Sequence, residues 1–289
     1  MCASGSGVAD QRMRVTVCEL PHRTDALADA WAALCEHTMT NGSQLVLLPE
    51  LAMVEPVWEC EHFDAARWVV VETLSDLGLR RLRELRADHV VGTRPVRLEG
   101  RRLNQGYLWS PAAGVEPLRS KYFLPEEPGT WEATWFERGD PVFPAFRAGP
   151  ASFGVNICTE LWALETYAAY ATLGVDLVLS PRATALETTA NWLAAGVVAA
   201  VRSGAFSLRR TASIRPARPA AAGGSSIPPA RFWPSRRQPS RLRPGTSTWP
   251  RRRPPRTATR ATSSLGVSLP NAYQWFMTPD AWRSRLARP

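Results

Sequence analysis

The 289-residue chain has no apolar run of roughly eighteen residues or more, so no segment reads as a helix that spans a membrane. Its start, Met1-Cys-Ala-Ser-Gly-Ser-Gly, lacks both a basic beginning and an apolar stretch, which argues against a secretory signal. The five cysteines (Cys2, Cys18, Cys35, Cys60, Cys158) are odd in number and have no CxxC spacing. A disulfide framework and a zinc site are therefore disfavoured, and reduced thiols in the cytoplasm are expected. Acids are nearly missing from one end. Residues 209–289 hold 17 arginines and a single acid, Asp280, so that segment carries +16. Against a net charge of +9 this leaves −7 on residues 1–208. A mildly acidic globular segment is joined to a strongly basic one, and the two need separate explanations.

What is present in the first 207 residues is an alternation of apolar strands and helical patterns. Met13 to Leu20 reads as a strand, Asp25 to Met39 as an amphipathic helix, and Gln44 to Leu48 as a continuously apolar, buried strand. A second helix is expected over roughly 71–85. Strands follow at His89–Arg94, Asn104–Trp109 and near Val115–Arg119. A strand at Phe153, a helix to Leu173, a strand from Val175 to Ser180 and a helix over roughly 187–203 complete the pattern. Such alternation predicts an α/β layered domain. From about Leu208 the pattern gives way to Arg, Pro, Ser, Thr and Ala, which predicts a disordered basic segment over 208–289.

The chemistry centres on Phe153-Gly-Val-Asn-Ile-Cys-Thr-Glu-Leu-Trp162. A strand ending at Cys158 and turning into a helix places a thiol at a helix N-terminus, where a thiolate costs less and backbone N–H groups can receive an oxyanion. The plain alternative is an inert core cysteine. Glu50 ends the apolar strand at Pro49, and by itself reads as a solvated strand-end acid. Lys121, ahead of Tyr-Phe-Leu-Pro125, by itself reads as a surface lysine.

Together, Leu47-Leu48-Pro49-Glu50, Ser120-Lys121-Tyr122-Phe123-Leu124-Pro125 and Gly154-Val-Asn-Ile-Cys158 resemble, in order and spacing, the triad segments of the nitrilase superfamily of carbon–nitrogen hydrolases. Glu132-Ala-Thr-Trp-Phe-Glu-Arg-Gly139 is similar to that family's second-glutamate turn, with Glu126 and Glu127 as rivals for Glu132. The resemblance covers about residues 13–207. It implies a four-layer α-β-β-α sandwich of the nitrilase type, incomplete at the C-terminus, and no metal or organic cofactor. It implies Cys158 as nucleophile, Glu50 as base, Lys121 with the backbone N–H of Thr159 as oxyanion donors, and Glu132 as a positioning or tuning acid. The implied reaction is hydrolysis of a small amide or N-carbamoyl amine, with water, through a thioester. A homo-oligomer is implied for a complete chain.

Thr159-Glu160 stands where most true nitrilases have Trp-Glu, which favours amidase over nitrilase chemistry. The loop Leu124 to Glu132 is similar to those of N-carbamoyl amidohydrolases. Arg182 is expected to be exposed, with contact to an acidic substrate group as the alternative. Two rival readings remain: a catalytically inactive relic, and loose nucleic-acid binding through Arg251-Arg-Arg253, Arg236-Arg237, Phe232, Trp233 and Trp249. The relic reading follows from the expectation that residues 208–289 are translated out of frame.

Overall fold

The computed structural model describes residues 13–22, 24–185, 188–214 and 272–277. All of them belong to one compact unit. In chain order the first half comprises β1 (Met13–Cys18), α1 (Thr24–Asn41), β2 (Leu45–Leu47), α2 (Ala65–Arg80), β3 (His89–Leu98), β4 (Arg101–Ser110) and β5 (Gly114–Ser120). A small hairpin, β6 (Glu126–Glu127) and β7 (Thr130–Trp131), leads into a one-turn helix, α3 (Glu132–Trp135). Then come β8 (Phe146–Ala148), β9 (Ala151–Val155), α4 (Leu164–Leu173), β10 (Leu177–Ala185), α5 (Thr189–Ser203), β11 (Phe206–Ile214) and β12 (Ala272–Met277).

The strands form two main sheets, ordered β12-β1-β2-β3-β4-β5 and β11-β10-β9-β8. β1, β2 and β3 run parallel, as do β9, β10 and β11. The alternation on β2 explains its unbroken apolar run. Leu45 and Leu47 join Phe153, Val155, Leu177 and Leu179 in the core between the sheets. Val46 instead packs with Trp31 and Leu34 of α1 and Leu79 of α2. Each of these fully buried side chains contributes about 1.5–3 kcal/mol relative to exposure. On β9, Gly154 lies opposite in facing to Phe153 and Val155, and a Cβ there would meet the Tyr170 ring of α4 at 2.4 Å. Helices therefore lie on the outer face of each sheet, giving the expected α-β-β-α order.

Three boundaries differ from the sequence expectation. α2 starts at Ala65, because the Asp64 carboxylate accepts from the N–H groups of Ala66 (2.8 Å) and Arg67 (3.1 Å). It ends at Arg80; a 3-10 turn over Leu82–Leu85 buries both leucines before Arg86 turns left-handed at φ 48°. β8, a three-residue strand beside β9, has too short a pattern to read. β11 crosses the expected 207/208 boundary and stays in register with β10 from Leu177↔Phe206 to Ala185↔Ile214. β12 pairs antiparallel with β1. The expectation for the rest of the basic segment, including its nucleic-acid candidates, lies outside the described residues.

Candidate active site

Glu50 follows β2 at the point where the chain turns sharply. Leu48 still pairs with β3 through its N–H to the Val91 carbonyl (2.9 Å). Leu51 then adopts a left-handed φ of 47° and donates its N–H to Thr93 Oγ1 (2.8 Å). A residue at positive φ is strained unless its surroundings fix it. Here the Thr93 bond and burial of Leu51 do so, and they aim Glu50 inward.

Lys121 lies just beyond β5. Its N–H donates to the Asn104 carbonyl (2.8 Å), and its own carbonyl accepts from Gly139 (2.8 Å). A Cβ at Gly139 would stand 2.4 Å from the Ser120 carbonyl oxygen, so only glycine allows this approach. Glu132 begins α3, held by its N–H to Pro125 (3.0 Å) and by the burial of Trp135 and Phe136 below it.

These segments converge. Lys121 Nζ donates to Glu50 Oε1 at 2.9 Å and to Glu132 Oε1 and Oε2 at 2.8 and 2.6 Å. Lys121 is fully buried, and both carboxylates are nearly so. Two carboxyl groups thus share one cation in a site shielded from water. Burial works against the Lys121 ammonium, but the charges of Glu132 and Glu50 outweigh it and hold its pKa above the usual lysine range. Burial, aided by the charge of Glu50 and opposed by Lys121, pushes the Glu132 carboxyl up to about 8.

Cys158 is placed by a strained elbow. It has φ 49° and is only 3% exposed. Asn156, just upstream, donates Nδ2 to the Glu160 carbonyl and to Thr166 Oγ1, both at 2.9 Å, and so closes the turn. The thiol points to the Ala183 carbonyl of β10 at 3.7 Å. The expected helix after Cys158 is instead a five-residue 3-10 turn, and α4 starts only at Leu164. Nor does the thiol rest as a low-pKa thiolate: burial and then the charge of Glu50 push it well up, with Lys121 opposing. A full helix dipole is lacking, and the elbow sits in the core.

The other expected residues fall as follows. Thr159 lies in the first turn of the 3-10 segment, whose N–H groups have no partner within the helix, and its Oγ1 donates to the Phe123 carbonyl (2.9 Å). Glu126 is bound up with Thr134, accepting from its N–H (3.0 Å) and hydroxyl (2.6 Å). Glu127 is half-buried in β6. Arg182, expected to be exposed, is instead only 3% accessible, packed with its guanidinium 5.0 Å over the Trp192 ring. Its long apolar stem and planar head suit that stacking.

Sequence reasoning missed Asn104 as a site residue. It is fully buried in β4, and its Nδ2 donates to Glu50 Oε1 at 2.9 Å. An Asn among apolar strand residues was the available signal. A second signal also went unread: Lys121 is the chain's one lysine, the other 34 basic residues being arginine. A compact ammonium with three rotatable donors serves two converging carboxylates in a way a planar guanidinium does not.

A two-sheet sandwich with helices on both outer faces is the fold of nitrilase-superfamily structures. The chain belongs to the carbon–nitrogen hydrolase family, which it matches over residues 14–227. Part of it is 34% identical over 74 residues to N-carbamoylputrescine amidase of Oryza sativa subsp. japonica, a match that covers 26% of this chain and about a quarter (25%) of that relative. Its fold is similar to that of a carbon–nitrogen hydrolase from Helicobacter pylori G27 (TM-score 0.55, 16% identity, 66% of this chain and 69% of that one). It is also similar to that of an amidase from Nesterenkonia sp. (TM-score 0.54, 22% identity, 71% and 79%).

Proposed function

We propose that the protein hydrolyses a small amide or N-carbamoyl amine through a cysteine thioester. The observation that carries this reading is the buried group in which Lys121 bridges Glu50 and Glu132, with Cys158 close enough for all three charges to act on its thiol. Cys158 rests protonated, so attack on the substrate carbonyl needs a base. Glu50 takes the thiol proton as the S–C bond forms. Lys121 Nζ and the Thr159 N–H stabilise the resulting oxyanion. Collapse of the tetrahedral intermediate breaks the C–N bond, and Glu50 returns the proton to the leaving amine or ammonia. A water then attacks the thioester, again giving its proton to Glu50, and the acid departs as Cys158 regains a proton. Glu132 holds Lys121 against the pull of Glu50 and keeps it directed at the carbonyl.

Two features favour an amide or carbamoyl substrate over a nitrile. One is Thr159-Glu160 after the nucleophile. The other is the likeness over a quarter of the chain to an N-carbamoylputrescine amidase. A point mutant of the Nesterenkonia amidase has been captured with acrylamide joined to its active-site cysteine by Michael addition, a thioether that reports a nucleophilic thiol, whereas turnover on Cys158 is expected to pass through a thioester. The test is turnover on a panel of amides, N-carbamoyl amines and nitriles, with mass analysis of the stalled enzyme. Amide or carbamoyl turnover, an acyl adduct on Cys158 alone and its loss in Cys158→Ala are expected. Activity retained by Cys158→Ala overturns the mechanism.

A further inference from the structure

The Lys121 and Cys158 segments belong to different sheets. β5 is an end strand of the six-stranded sheet, and β9 lies within the four-stranded one. Among the described residues no hydrogen-bonded ladder therefore fixes the ammonium relative to the thiol. Side-chain bonds make the connection: one runs from Thr159 Oγ1 to the Phe123 carbonyl, and four converge on one buried carboxylate. Glu160, fully buried, accepts at Oε1 from the Tyr122 N–H (2.7 Å) and from Arg119 Nη2 (2.9 Å). At Oε2 it accepts from the Ile157 N–H (2.8 Å) and from Arg119 Nη1. Tyr122 and Arg119 flank Lys121 at one and two residues; Ile157 directly precedes Cys158. Arg119 is anchored in turn: Nε donates to the Val142 carbonyl (3.1 Å), and the guanidinium lies 4.0 Å over the Phe143 ring.

The geometry points to Glu160, with Arg119, as a positioning pair whose shared carboxylate sets the distance between the Lys121 ammonium and the Cys158 thiol. This rests on the catalytic roles proposed above. A forked guanidinium–carboxylate contact fixes orientation as well as separation. The two backbone N–H bonds make Glu160 a joint between chain segments rather than a side-chain pair alone. A buried ion pair gives weak net stability, so its use here lies in holding one arrangement against others. The stakes are large, because a misplacement of about 1 Å costs a rate about 10²-fold.

The test compares Glu160→Gln with the double variant Arg119→Met plus Glu160→Gln in the full chain. The single change strands the Arg119 charge, whereas the double change removes both buried charges. Two quantities are read: amide turnover, and the rate at which iodoacetamide alkylates Cys158 as a function of pH. Expected in the double variant are a kcat lowered about 10²-fold with KM little changed. Slower alkylation is also expected, with its inflection moved to higher pH as Lys121 draws away from the thiol. A folded double variant with wild-type alkylation rate, inflection and kcat overturns the proposal and leaves the pair a structural one. If the wild-type protein turns over no amide, the functional reading fails, but the alkylation profile still decides the role of Glu160.

Discussion

Lys121→Met removes the one cation that two buried carboxylates share. Lys121 donates three hydrogen bonds of 2.6 to 2.9 Å to two buried carboxyl groups, and among the described residues Asn104 alone still donates a side-chain hydrogen bond to Glu50 after substitution. Breaking a buried ion pair from one side costs about 3–5 kcal/mol, because the remaining charge is left desolvated. Against a typical stability of about 5–15 kcal/mol that is a large fraction. The loss is moderated by protonation. Burial and Glu50 already raise the Glu132 carboxyl to about 8, and removing Lys121 takes away the charge that opposed them. Glu132 then keeps its proton through neutral pH and above, so the expected loss lies near 3 kcal/mol, at the lower end. The sign with pH follows: a carboxyl with a raised pKa makes the folded state bind more protons than the unfolded one, so stability falls as pH rises above the unfolded value. At about pH 6, where Glu132 is already neutral in Lys121→Met, adding Glu132→Gln should change little, whereas at about pH 8 it removes any charge remaining on Glu132 and should recover part of the loss. Urea unfolding of both variants at about pH 6 and about pH 8, with midpoints compared at constant m, reads this directly. A Lys121→Met chain within about 1 kcal/mol of wild type at both pH values would refute the buried-triad reasoning. So would a double variant weaker than the single one.

Because Lys121 is the chain's one lysine, isotope-labelled lysine should give a single side-chain NMR signal. That signal should not titrate near about 10.4, where a free lysine does; a midpoint there places the ammonium outside the carboxylate pair. Gly139→Ala should destabilise by about 1–3 kcal/mol and slow turnover, since its Cβ would strike the Ser120 carbonyl beside Lys121; an unchanged melting temperature contradicts this. Gly154→Ala should clash with the Tyr170 ring and gain nothing from Tyr170→Phe, because the ring carbons make the contact; thermal melts of the two variants decide it.

The parts of the fold legible in the sequence were those where burial writes a periodic pattern. β2 was readable because both of its faces are covered, Leu45 and Leu47 by one layer and Val46 by another. The start of α2 was missed because an Asp64 cap is a local contact and leaves no apolar period. At the site, Glu50, Lys121 and Cys158 were singled out only together, by the order and spacing of their flanking motifs, since each alone reads as an ordinary acid, lysine or core cysteine. Asn104 and Arg119 were not singled out, since their roles depend on residues 54 and 41 positions away that only the folded chain brings near. The resting charge of Cys158 was also beyond reach. A helix dipole can be guessed from a helical pattern, but burial in a closed elbow and a neighbouring Glu50 cannot.

The last prediction concerns the gene. The charge of the chain changes sign near codon 208, and the strand that crosses this point is ill suited to what it carries. Arg209 in β11 is pressed against α5: it donates Nη2 to the Leu193 carbonyl (2.9 Å), while its Nε is buried without a hydrogen-bond partner. Desolvation pushes its pKa down, the mark of a charge held where none is wanted. If codons are instead begun on the preceding wobble base, a CGN arginine codon at 209 becomes NCG. That reads as Ser, Pro, Thr or Ala, small uncharged residues that suit a position facing Gly196. The same single offset lets Thr211 to Arg215 read Asn-Arg-Ile-Asp-Pro, and Ile227 to Pro234 read Asp-Pro-x-Gly-Ala-Val-Leu-Ala. It also lets Thr246 to Pro250 read Asp-Val-Asp-Leu-Ala, so acids return where the present frame has nearly none. All three resemble late segments of nitrilase-superfamily chains. The expected result is that the nucleotide sequence, corrected by one base near codon 208, opens a continuous frame with this text, and that the corrected chain expresses in higher soluble yield. A gene whose other frames close at stop codons within residues 209–250 overturns the idea, and the 17 arginines then require a function of their own.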